Sequence, residues 1–122
     1  MSRRPRAGPA PGQLSHAPVF AALGDRTRLV LVGKLSRGEP LSISELSRGS
    51  RLTRQAVTKH LRVLEEARLV RSARQGRRML FRFSPERVRE ATEYLDGVAG
   101  QWDKALARLK SLVESESSDG AT

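Results

Sequence analysis

At 122 residues with 38% hydrophobic content, the chain is one domain's worth and can build a small core if two copies share part of it. Its 23 Lys and Arg against 13 Asp and Glu leave a net charge of +10, which points to a polyanionic partner. No run approaches the roughly 18 to 20 apolar residues of a membrane span, no apolar stretch follows the basic N-terminus as in a signal peptide, and the lack of cysteine excludes disulfides, thiolate metal sites and thiol redox switches.

Residues 1–14 carry Arg3, Arg4 and Arg6 among Pro, Gly and Ala, a composition that cannot bury a core, so a disordered basic arm is expected there. A helix is expected from Ser15, with Val19, Phe20 and Leu23 on one side, until Gly24 stops it. Asp25 suits the N-cap of the next helix, whose inner face carries Leu31, Val32 and Leu35 before Gly38 and Pro40 end it. Arg28, on the first turn, can reach either a phosphate or the Asp25 carboxylate. Ser42 and Glu45 have the S-x-x-E spacing of a capping box and open a short helix from Ser42 to Ser47.

The stretch Leu52 to Val70 carries the most chemistry. Thr53 sits where an N-cap belongs, and Val57, Leu61 and Leu64 follow at i, i+4, i+7 spacing, which gathers them on one face of a helix over about residues 53–67. At about 100° per residue, Gln55, Thr58, Lys59 and Arg62 share the opposite face, made only of hydrogen-bonding and cationic groups. Gln can pair bidentately with adenine, Lys with guanine acceptors, and a Thr methyl can touch thymine, so this face suits the major groove of DNA. Gln55, Thr58 and Lys59 lie in the first two turns, where a helix entering the groove approaches base edges, and are expected to read them. Arg51, Thr53, Arg54, His60 and Arg62 surround that set and are expected at the DNA backbone. A helix with a merely solvated polar face has the same pattern, and its neighbours decide between the two.

Two strand-like runs follow, Leu69 to Arg74 and Arg78 to Ser84, joined by Gln75-Gly76-Arg77. Met79, Phe81 and Phe83 alternate with Arg78, Leu80 and Arg82, the period-two signature of a hairpin with one buried face. Arg74, Arg77 and Arg78 surround its turn, where they can meet phosphates or a minor groove. Between Arg51 and Arg82 ten basic residues stand against two acids, so most of the net charge is one patch. Helix, turn, helix and basic hairpin in that order make a winged helix-turn-helix over residues 15–84, with the wing at about 69–84. The expected fold class is mainly α with a small β-hairpin.

Ser84 as cap and Pro85 at the first helical position open the last element, 85–113. With Val88 as the first a position, the a and d places are Val88, Ala91, Leu95, Val98, Trp102, Ala105, Leu109 and Leu112, all apolar. A domain of this size has little left to bury such a seam against. A homodimer is therefore expected through the first and last helices, with Val19, Phe20, Leu95, Val98, Trp102 and Leu109 at the interface. Gly97 and Gly100 fall at outward places and leave open whether the segment is one helix or two. The tail, 114–122, rich in Ser and acids, is expected to fray.

Three segments, FAALGDRTRLVLVGKL, RQAVTKHLRVLEEARLV and QGRRMLFRF, resemble in order the ArsR-type (ArsR/SmtB-like) family of bacterial winged-helix repressors, over about Val19 to Ser84. The resemblance implies a cytoplasmic, nucleoid-associated homodimer that represses by occupying an inverted repeat in double-stranded DNA. Many relatives read Ala-Gly-Leu-Val after the recognition helix, with Gly in the left-handed conformation; here the residues are Ala67-Arg68-Leu69-Val70. Arg68 must accept positive φ or the helix must end differently. Metal-sensing relatives carry Cys near the third helix, or Asp, His and Glu on the last. Here Cys is absent and the only histidines are His16 and His60, so a branch without those metal sites, and without a cofactor, is expected. No phosphate-binding glycine loop, Ser/His/Asp set or Cys/His set suggests an enzyme. The alternative function is a winged helix used as a protein-interaction or RNA-binding adaptor, which differs in the salt and sequence dependence of its binding.

Overall fold

The computed structural model of the chain describes residues 11–120, side chains included from 15 to 116. Along the chain run α1 (Pro11–Leu23), α2 (Arg26–Leu35), β1 (Leu41–Ser42), α3 (Ile43–Ser47), α4 (Arg54–Glu66), β2 (Val70–Gln75), β3 (Arg78–Phe83) and α5 (Glu86–Gly120). The described chain falls into two units divided after Ala91, so α5 starts in the first and continues in the second.

Each short helix begins at a side chain suited to stop a chain from continuing as a strand. Asp25 Oδ1 accepts the Arg28 N–H at 3.0 Å and Thr53 Oγ1 accepts the Ala56 N–H at 3.1 Å. At α3 the box is reciprocal: Ser42 Oγ accepts the Glu45 N–H at 3.2 Å while Glu45 Oε1 accepts the Ser42 N–H at 3.0 Å. These bonds satisfy donors that a helix start leaves orphaned, and loss of a hydroxyl such as that of Thr53 costs about 1 kcal/mol.

With its ends fixed, α4 turns Val57, Leu61 and Leu64 inward against Leu31 and Leu35 of α2, Leu46 of α3, and Val70 and Phe81 of the sheet. Full burial of one such leucine contributes about 1.5–3 kcal/mol. Where α4 ends, the Leu69 N–H donates to Leu64 O and the Arg68 N–H to Glu65 O, both at 2.9 Å. That is a Schellman closure, and it puts Arg68 at φ 62. Of the two outcomes open at this position, the chain takes the strained one.

The sheet is antiparallel in the order β1-β3-β2, with Val70 opposite Phe83 and Gln75 opposite Arg78. The wing turn therefore has two central residues, Gly76 and Arg77. Positive φ at Gly76 (65°) and not at Arg77 is the pattern of a type II′ turn, which follows the strand twist.

Several expectations need correction. Helix α1 starts at Pro11 rather than Ser15, since Pro at a first helical position loses no needed N–H, and it runs on through Pro18. Residues 11–14 thus leave the basic arm; Arg3, Arg4 and Arg6 lie outside the described residues. Val19, expected at a dimer interface, is 1% exposed and belongs to the core of its own protomer. Met79 lies on the same face as Phe81 but is not buried; near the hairpin tip it is 38% exposed. Strand β1 was not foreseen, and it pairs Leu41 with Phe81. Finally, α5 is one helix through Gly97 and Gly100 and continues past Glu114 to Gly120, because a helix satisfies its own backbone and polar side chains do not end it.

Candidate nucleic-acid interface

The outward face of α4 is shaped from below. Because Val57, Leu61 and Leu64 are sealed in the core, Gln55, Thr58, Lys59 and Arg62 have to lie on the other side, and there they line one depression of about 490 Å³ with Arg54 and Ile43. Thr58 Oγ donates to Arg54 O at 2.7 Å, which occupies its hydroxyl proton within the helix and leaves the methyl as its outward chemistry. The expected base-reading set is thus gathered in one place with two of its expected flanking cations.

A second depression of about 470 Å³ lies between α3 and the wing, lined by Ser42, Ser44, Glu45, Arg48, Arg54, Arg77, Arg78 and Met79, with Ile43 shared with the first. Arg54 joins the two, its guanidinium hydrogen-bonded to Ser44 Oγ. Four arginines face one carboxylate here. Arg78 Nη2 donates to Glu45 Oε1 at 2.6 Å, and the backbone N–H of Ser42, more than Arg78 itself, holds the Glu45 carboxyl below its ordinary value of 4.5.

The remaining expected residues are dispersed. Thr53 is spent as the α4 cap. Arg51 is exposed in the α3–α4 turn and lines neither depression. Arg74 lines a separate depression with Arg71, Leu80 and Arg82. His60 is a correction: its Nδ1 lies 3.3 Å from Arg28 Nη1 and 4.0 Å from Asp25 Oδ1, so it is turned toward α2 instead of outward. Arg28 does not reach outward either, for its Nε donates to Ala22 O at 2.6 Å and its Nη2 to Ala21 O at 3.3 Å, fastening the end of α1. Arg48, Ser44 and Glu45 were missed as site residues. Arg48 follows directly on α3, which was the available signal.

The comparisons with known proteins agree with this architecture. A family model described as a helix-turn-helix domain matches residues 23–73. The chain is 37% identical to the HTH-type transcriptional regulator Rv2034 of Mycobacterium tuberculosis over 82% of its own length and 90% of that protein. The solved structure of an ArsR-like transcriptional regulator from Rhodococcus sp. RHA1 superimposes with a TM-score of 0.78 at 34% identity, covering 84% of this chain and 94% of the other. The chain belongs to the ArsR-type family of winged helix-turn-helix transcriptional regulators. An ArsR-type regulator binds DNA, and the joined depressions along α4 and the wing form one basic surface among the described residues. The chain is also 34% identical to a protein described as a transcriptional repressor SmtB homolog, from Synechocystis sp., over 65% of its length and 62% of that protein.

Proposed function

We propose that this ArsR-type regulator is a homodimeric repressor that occupies an inverted-repeat operator overlapping a promoter, in the bacterial cytoplasm at the nucleoid, with no enzymatic activity. The observation that carries the reading is the outward face of α4, where Gln55, Thr58 and Lys59 stand together between Arg54 and Arg62. In a major groove, Gln55 and Lys59 pair with base edges, Thr58 offers its methyl to thymine, and Arg54 and Arg62 hold phosphates. Arg77, with Arg48 beside it, adds contacts from the wing side that carry affinity with little base preference. The repressor sign rests on the similarity to the Synechocystis protein.

Dimerisation is supported by α5, on which Leu95, Val98, Trp102 and Leu109 are 43–65% exposed, a run of large apolar side chains that a soluble monomer rarely shows. Phe20 of α1 is half-buried at the edge of the core of the first unit. Metal sensing through the family's usual positions does not fit a chain without Cys and without His after His60.

Trp102→Glu is expected to give monomers in sedimentation and weak binding to duplex DNA, because an inverted repeat needs two reading heads at fixed spacing. An unchanged dimer would place the interface elsewhere.

A further inference from the structure

In the cleft between α3 and the wing, one carboxylate serves two partners. Glu45 Oε1 accepts the Ser42 N–H as half of the α3 capping box and also accepts Arg78 Nη2 at 2.6 Å. A glutamine at this position would keep the cap's hydrogen bond. The negative charge thus serves the cap and Arg78 together. It is also out of place for a phosphate-binding surface, being the single carboxylate lining a cleft with Arg48, Arg54, Arg77 and Arg78.

We propose that Glu45 is a built-in phosphate mimic that occupies Arg78 in the free protein and so acts as a specificity-determining residue of the DNA interface. The proposal rests on the DNA-binding reading above. A duplex that docks without the α4 face in register finds Arg78 neutralised by Glu45, a pair with no net charge to offer a phosphate. A correctly seated operator presses its backbone into the cleft and takes Arg78 over from Glu45. The pair is open enough for exchange, since the Arg78 side chain is 60% exposed and the Glu45 side chain 36%. An exposed ion pair of this kind holds weakly, which suits a contact meant to be exchanged.

The test is Glu45→Gln, which keeps the capping box and removes the charge, with Arg78→Ala introduced into the Glu45→Gln background. Full-length proteins are titrated by fluorescence anisotropy against a mixed-sequence duplex over a series of salt concentrations, and thermal unfolding is recorded for each. Glu45→Gln is expected to steepen the salt slope by about 0.9, one extra phosphate contact, which near physiological salt tightens binding about five-fold. Arg78→Ala in the Glu45→Gln background is expected to return the slope to the wild-type value, since the double variant and the paired wild type carry the same net charge at this place. A slope indifferent to Glu45→Gln, or a double variant whose slope stays steep or falls about 0.9 below wild type, would overturn the proposal while leaving DNA binding intact. Wild-type protein that binds no duplex at any salt concentration would overturn both.

Discussion

In α4 the apolar stripe of Val57, Leu61 and Leu64 is sealed inside the protomer at 1% exposure or less, whereas in α5 Leu95, Trp102 and Leu109 are 51%, 65% and 58% exposed. The two helices carry similar patterns of apolar repeats, yet only the first uses its stripe to fix its own orientation. For α4 that burial is what makes the opposite face a defined surface, since a helix pinned by three core residues cannot roll away from what it presents. For α5 the stripe remains available, and a second copy of the chain is the partner proposed for it. One periodic signal thus has two meanings, and what separates them is whether the same protomer supplies the covering side chains.

The difference can be broken most forcefully with a pair of truncations. Leu61→Ala should destabilise the protein by about 2–5 kcal/mol in denaturant unfolding, by the same amount at low and high protein concentration, because the cavity forms within one protomer. Leu109→Ala should act differently, with a loss that depends on protein concentration, since its burial waits on association. A concentration-independent loss of Leu61 size at Leu109 would erase the distinction between the helices.

A smaller pair of changes sharpens it. At the end of α4 a glycine is missing where the backbone calls for one, and within α5 a glycine stands where the backbone does not. Arg68→Gly relieves a φ of 62 and should stabilise the protein by about 1 kcal/mol. Gly97→Ala has no neighbouring atom within 4 Å of the added Cβ and should stabilise by up to about 1 kcal/mol through helix propensity. Thermal unfolding of the two variants checks both, and a loss of stability in Arg68→Gly would mean that the Schellman closure carries no strain.

What could be read from the residues alone follows the range of the interaction. Thr53, Asp25 and the Ser42–Glu45 box were legible because each bond spans three residues, whereas at Arg68 the sequence left positive φ and a different helix end both open and the structure takes the first. The α4 face was legible because helical geometry fixes which residues share it. Strand β1 was not, since two residues form a strand only by pairing with Phe81 and Leu80, far along the chain. The Glu45–Arg78 and Arg28–His60 contacts were hidden for the same reason, being separated by 33 and 32 residues. Polarity misled over residues 114–116, which are exposed and helical.

The claim that the α4 face reads bases meets its most direct test in Gln55→Ala and Lys59→Ala, titrated by fluorescence anisotropy at one fixed salt concentration. The two probes are the tightest duplex selected from a random-sequence pool and a scrambled duplex of equal length. Each variant should lose about 1–3 kcal/mol on the selected duplex and much less on the scrambled one, because only the cognate base pair loses its partner. Equal losses on both duplexes would contradict the account, leaving the face a charged surface without sequence readout.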